Sequence, residues 1–182
     1  MRAIIVRHGN TFAEGEPVRR IGARTDLPLA ASGRAQAEAL ALNFADTKID
    51  RCLVSPLRRT RETAAILAPH LSPETAAWLR EIDHGPDEGM MEEAVVARIG
   101  AETLTRWTEA ALPPPGWIVD APARIAAWRA FFSEASGTVL LVTSNGAAQF
   151  ARLALELSPA RLRTGAYGEI IGGNLTAWDV RP

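Results

Sequence analysis

The chain has 182 residues, a formal net charge of −1 and one cysteine, Cys52. Near-neutral charge leaves non-specific nucleic-acid binding without electrostatic support, and a lone cysteine excludes an intramolecular disulfide. Hydrophobic residues make up 47% of the sequence, enough for one full core, and no apolar run reaches bilayer length.

The first element is the apolar run Ala3-Ile4-Ile5-Val6, which predicts a strand buried on both faces. It stops on Arg7-His8-Gly9-Asn10-Thr11. A long polar loop follows to Ala31, with Arg19, Arg20 and Arg24. Ser32 is the expected N-cap of a helix whose inward face is Ala37, Leu40, Ala41 and Phe44. Asp50 to Val54 predicts a second strand. Ser55-Pro56 is expected to open the next helix, with serine as cap and proline at its first position, and Pro69 to end it.

Thr75 to Leu79 is a candidate short strand leading into the loop Arg80-Glu81-Ile82-Asp83-His84-Gly85. Met90 to Ala111 has a weak helical pattern, broken by Pro113-Pro114-Pro115-Gly116. Ile125, Trp128, Phe132 and Ala135 mark another helix. Thr138 to Thr143 is the clearest strand. It runs through Ser144-Asn145-Gly146 into a helix with Ala147, Phe150, Ala151 and Ala154 on one face. Glu169 to Ile171 and Leu175 to Val180 are candidate closing strands. Alternating strands and helices predict an α/β fold, a three-layer sandwich with a largely parallel central sheet and helices on both faces. The expected organisation is one domain over residues 1–182, in a cytoplasmic protein.

In a parallel sheet, residues just past the strands gather on one edge, where open α/β sheets hold ligands. Here that edge collects Arg7, His8, the arginines at 58, 59 and 61, and Asn145. Arginine forks and helix N-termini together favour a phosphate. No glycine-rich nucleotide loop and no cluster with metal-ligand spacing is present in the sequence.

The segment Arg7-His8-Gly9-Asn10-Thr11 resembles the "RHG" signature of the histidine phosphatase superfamily, the phosphoglycerate mutase-like proteins. Gly22-Ala23-Arg24-Thr25-Asp26-Leu27-Pro28-Leu29 is similar to that family's "GrtDxpL" segment. Ser32-Gly33-Arg34-Ala35-Gln36-Ala37 resembles its "tGxxQA" helix start, and Ser55-Pro56-Leu57-Arg58-Arg59-Thr60-Arg61-Glu62-Thr63-Ala64 its "SPLxRxxxTA". Arg80 to Gly89 is similar to "LxExxxGxxEG".

The resemblance implies that His8 accepts a phosphoryl group, that Arg7 and Arg59 hold its oxygens, and that Glu81 protonates the leaving oxygen. It implies no cofactor and no metal, and a small phosphorylated molecule as the partner. Asn10, Glu14, Arg19, Arg20 and Arg24 form a candidate substrate loop. The three arginines read equally well as a solvated basic loop. Trp107 and Trp117 fall near the segment that covers the site in relatives, Trp128 reads as packing, and His70 and His84 read as surface residues.

Two departures bear on activity. Asn145 stands where the family has a second, phosphate-binding histidine, and an amide donates a hydrogen bond without positive charge. Glu14 stands where many members have asparagine, and a carboxylate there repels phosphate unless the loop turns it outward. Two functions stay open: a phosphomonoester hydrolase working through phosphohistidine with activity reduced by Asn145, and a pseudophosphatase that binds an anionic ligand without turnover. Substrate identity and oligomeric state are not set by the sequence.

Overall fold

The computed structural model describes residues 1–182. Its sheet is built from β1 (Arg2–Arg7), β2 (Arg51–Val54), β3 (Glu74–Thr75), β4 (Thr138–Thr143), β5 (Tyr167–Ile171) and β6 (Asn174–Val180), in the order β3-β2-β4-β1-β5-β6. The first four strands run parallel, and β5 and β6 add an antiparallel edge. The helices are α1 (Ala31–Asn43), α2 (Arg58–Leu67), α3 (Glu92–Ile99), α4 (Ala101–Ala110), α5 (Ala121–Glu134) and α6 (Asn145–Ala154).

The two-residue period of a strand sends alternate side chains to opposite faces. Ile4 and Val6 of β1, with Leu140 and Val142 of β4, pack against Ala37 and Leu40 of α1 and Ala64 and Leu67 of α2. Ala3, Ile5, Val139 and Leu141 enter the other core, with Trp128, Phe131 and Phe150. That second core is the larger. Its centre is Trp128, which has no exposed surface and meets Trp78 edge-on at 4.8 Å. Truncating such a residue to alanine costs about 3–5 kcal/mol.

Several element ends differ from the sequence expectation, at Ala30 and Ser55 because a long-range backbone bond overrides a local signal. Ser32 is not the cap: α1 starts at Ala31 from an extended Ala30, whose N–H donates to the Asn10 carbonyl at 2.9 Å. Ser55-Pro56 does not open α2. The Ser55 N–H instead continues the ladder onto Val142 O at 3.0 Å, and the helix waits until Arg58. Only Glu74 and Thr75 pair as β3, and Ala77–Leu79 turns into a 3₁₀ segment that buries Leu79. The long helix expected from 90 to 111 is two, broken at Gly100, whose φ of 82° no helix accommodates. The closing strands begin earlier than the apolar pattern suggests, at Tyr167 and Asn174.

The strand ends are level. Arg7 of β1 stands beside Thr143 of β4, and Val54 of β2 beside Val142. This register brings the segments after β1, β2 and β4 to one sheet edge.

Candidate active site

His8 extends the β1 ladder by one bond, donating its backbone N–H to Thr143 O at 3.1 Å. Its ring is 3% exposed. The Nδ1–H donates to its neighbour's carbonyl, Gly9 O, at 2.8 Å. That bond fixes the tautomer and leaves the lone pair on Nε2, which accepts from the Arg59 Nε–H at 3.2 Å. Burial holds the His8 pKa well below 6.5, and the positive charges of Arg59 and Arg7 push the same way. The ring is therefore neutral at pH 7, with an unprotonated nitrogen.

Arg59 has no exposed surface. Its Nη1 donates to Thr25 O at 2.7 Å and its Nη2 to Gly22 O at 3.2 Å. It sits behind the imidazole with one edge turned to Nε2, so it meets a ligand only where that ligand meets Nε2. Arg7 is partly buried and donates from Nη1 to Leu162 O at 2.8 Å. Burial pushes its pKa down to about 10, with Glu81 opposing and Arg161 and Arg59 assisting, so it stays charged at pH 7.

Asn145 opens α6, and its Oδ1 accepts the Leu162 N–H at 2.8 Å. One backbone unit, Leu162, thus ties Arg7 to Asn145. With the oxygen committed, the amide's donor end is the part left for the cavity. Glu81 is 6% exposed and is held by backbone: its Oε1 accepts from Ile82 N–H at 2.9 Å and its Oε2 from Gly146 N–H at 3.2 Å. The second bond places the carboxyl at the N-terminus of α6.

The glycines of the motifs are there for close approach. A Cβ on Gly9 would stand 2.2 Å from Gly33 O, and one on Gly33 would stand 2.1 Å from Asn10 O. The two segments lie backbone on backbone. Gln36, one turn further on, accepts the Asn10 N–H at 2.9 Å, and Thr164 Oγ1 donates to Asn10 Oδ1 at 2.6 Å. On the other side, Glu88 Oε1 accepts from Arg24 N–H at 2.6 Å and from Thr25 Oγ1 at 2.8 Å.

A cavity of about 1120 Å³ opens over these groups, with Arg7, His8, Glu81 and Asn145 in its lining. The segment from α3 to the proline turn forms one wall, through Met91, Glu92, Glu93 and Trp107. A family model, the histidine phosphatase superfamily (branch 1), matches residues 3–169. The chain belongs to the histidine phosphatase superfamily.

Among curated relatives, phosphoserine phosphatase 1 of Hydrogenobacter thermophilus is 35% identical over 111 residues, covering 60% of this chain and 51% of that protein. A probable 2-carboxy-D-arabinitol-1-phosphatase of Arabidopsis thaliana is 30% identical over 159 residues, covering 81% of this chain and 32% of the relative. The matches thus span about half and about a third of those proteins. The fold agrees with a mycobacterial glucosyl-3-phosphoglycerate phosphatase, at a TM-score of 0.83 and 21% identity over 100% of this chain and 99% of that one.

Within this member of the superfamily, the candidate substrate loop divides. Asn10, Glu14, Arg19 and Arg20 line the cavity. Glu14 is exposed on its wall, without a hydrogen-bond partner among the side-chain bonds. Arg20 pairs with Glu92 and lies over the Trp117 ring at 5.0 Å, and Arg19 bonds Gly89 O at 3.2 Å. Arg24 is a correction. It is absent from the cavity and turned onto Asp83 Oδ1 at 3.0 Å and the Gly85 carbonyl, because those acceptors lie on the loop that Glu88 clips to it.

His84 is a second correction. It is 6% exposed, stands edge-on to Trp117 at 4.5 Å and lines the cavity. The loop that carries it is roofed by Trp117, a contact no local pattern announces. Trp107 lines the cavity and Trp128 is core, while Trp117 is buried and donates from Nε1 to Asp87 Oδ2 at 2.6 Å. Sequence reasoning also missed Gln149, Arg161 and Arg163, which line the same cavity. Gln149 was detectable, since it lies one turn past Asn145 on α6. The two arginines come from a stretch without a secondary-structure pattern.

Proposed function

We propose that this protein hydrolyses a small phosphomonoester through a phosphohistidine. The observation that carries the reading is the His8 ring: a buried, neutral imidazole whose ring lone pair, on Nε2, is held by the Arg59 Nε–H in a cavity that His8 and Arg7 line.

In the first step Nε2 attacks phosphorus and the bond to the ester oxygen breaks. That oxygen takes a proton from the Glu81 carboxyl, which the Ile82 and Gly146 amides hold in place. In the second step water attacks phosphorus, its proton passes to the Glu81 carboxylate, and the bond to Nε2 breaks, releasing phosphate. Arg7 and the Nε edge of Arg59 neutralise charge on the phosphoryl oxygens, and Asn145 Nδ2 adds a neutral donor. Two relatives carry names of phosphatases acting on small phosphorylated acids. That supports placing carboxylate-bearing phosphomonoesters first in a substrate panel.

A second reading, a phosphate-binding protein without turnover, draws on Asn145 alone. Removing one transition-state donor costs about 3–4 kcal/mol, and an uncharged donor recovers part of that. The deciding experiment is a phosphomonoester panel with purified protein, run without added metal and beside His8→Ala. Turnover lost in His8→Ala supports the enzyme. Phosphate binding with no turnover on any substrate supports the second reading.

A further inference from the structure

His84 is outside the chemistry above, yet it is built into the same cavity wall as Glu81. Its two ring nitrogens face different surroundings. Nδ1 is sealed from solvent and has no hydrogen-bond partner. It lies over Gly22, where an added Cβ would come within 2.6 Å of it and within 2.8 Å of Glu88 Oε2. Glu88 Oε2 is likewise sealed and makes no hydrogen bond, its cationic partner being Arg24 Nε at 3.6 Å. The imidazole nitrogen, the Glu88 carboxylate and the Ile82 backbone carbonyl, which an added Cβ would meet at 2.6 Å, thus crowd a single glycine, which is why that position tolerates no side chain. A proton on Nδ1 faces the carboxylate oxygen favourably, whereas a lone pair there faces an anion. The carboxylate thus selects the Nδ1–H tautomer, as carboxylates behind histidines commonly do.

That choice puts the lone pair on Nε2, the nitrogen that is not sealed and borders the cavity. The ring is kept neutral chiefly by burial, with Arg20 assisting and Glu81, Glu88 and Asp83 opposing. The result is a hydrogen-bond acceptor in a cavity whose other wall residues include the donors Arg7, Arg19, Arg20, Arg161 and Asn145. The phosphoryl oxygens use donors. An acceptor beside Glu81, the group that meets the leaving oxygen, serves the other half of the substrate.

Resting on the phosphatase reading, we propose that His84 Nε2 is a specificity-determining acceptor for a hydroxyl or ammonium group on the leaving-group side of the substrate. The preferred class is then a phosphomonoester of a polyol or amino alcohol rather than of a simple alkyl alcohol. A matched acceptor is worth about tenfold in selectivity.

The test uses His8→Ala protein, so that no ligand is consumed, and long-range proton–nitrogen NMR of its two remaining histidines, with His84→Phe identifying the His84 signals. The free protein is expected to show His84 protonated on Nδ1 and bare on Nε2. Glycerol 3-phosphate or O-phosphoserine should move the Nε2 resonance, and inorganic phosphate or propyl phosphate should not. An Nε2–H tautomer, an equal response to propyl phosphate, or no response to the two polar esters while phosphate binds overturns the proposal. If inorganic phosphate fails to shift the amides of Arg7–Thr11 and Asn145–Ala147, the phosphate site itself is refuted and the inference falls with it. In wild-type protein, the preference for glycerol 3-phosphate over propyl phosphate should collapse about tenfold in His84→Phe.

Discussion

The floor and the rim of the cavity are built by different rules. On the floor, His8, Arg7, Arg59, Glu81 and Asn145 each have at least one polar atom fixed to backbone, on Gly9, Leu162, Thr25, Gly22, Ile82 and Gly146. On the rim, Arg161, Arg181, Glu14 and Glu93 are exposed and make no ion pair. Backbone anchors cannot be removed by substitution elsewhere, and they fix a side chain in one rotamer before a ligand arrives. The floor therefore sets the reaction class. The rim also holds paired charges, Arg20 on Glu92 and Arg163 on Asp179, and its unpaired members are free to set which molecule is accepted.

The sharpest break between the two comes from His8→Ala. Its turnover should fall on the order of 10⁵-fold, because a group that acts as nucleophile has no substitute. Isothermal titration with phosphate should still show binding through Arg7. Turnover within tenfold of wild type would remove His8 from the chemistry.

Asn145 comes next, because it serves the floor twice. Asn145→Ala deletes both the acceptor for Leu162 N–H and the donor end that faces the cavity. It should lower turnover about 10- to 1000-fold and stability by about 1–3 kcal/mol. Asn145→His should raise turnover if its Nδ1 accepts the Leu162 N–H and Nε2–H meets the phosphoryl group. A wild-type enzyme of ordinary turnover that Asn145→His impairs would show a site built around the amide.

Gly33→Ala probes the floor's construction without touching its chemistry. The new methyl would meet Asn10 O at 2.1 Å, so backbone must move. A loss of roughly 2–4 kcal/mol in urea unfolding is expected, with reduced activity in whatever remains folded. Arg161→Ala probes the rim. It should raise KM a few-fold with little change in kcat, as an exposed charge contributes about 1 kcal/mol or less.

The last test is the response to pH. In the proposed reaction the nucleophile is the neutral form of His8, whose pKa lies well below 6.5, so the acid limb of kcat/KM should also fall below pH 6.5. The same shift acts on stability. Below pH 6.5 the unfolded chain protonates His8 and His84 while the folded one resists, so it binds more protons. Stability should then drop as pH falls from 6.5, read as a declining Tm. A Tm rising over that range would contradict buried, neutral rings. Turnover should also survive a chelator, since arginine supplies the positive charge in the proposed chemistry.

The sequence by itself determined the sheet-facing pattern and most of the floor. Ala3 to Val6 and Val139 to Val142 alternate between two cores because strand geometry dictates it. Arg7, His8, Arg59 and Asn145 were legible because each follows a strand or opens a helix at a spacing local in the chain, whereas Glu81, in a loop, was legible only through the resemblance to the family's motif. Only the tertiary structure decided what their second atoms hold. Leu162, distant in sequence from both Arg7 and Asn145, bridges them, and no spacing rule announces it. It likewise decided that Arg24 is a clamp and that His84 is buried against Trp117. Periodicity reports burial within one element, whereas these outcomes depend on which loops meet, and that is set by the packing of the whole fold.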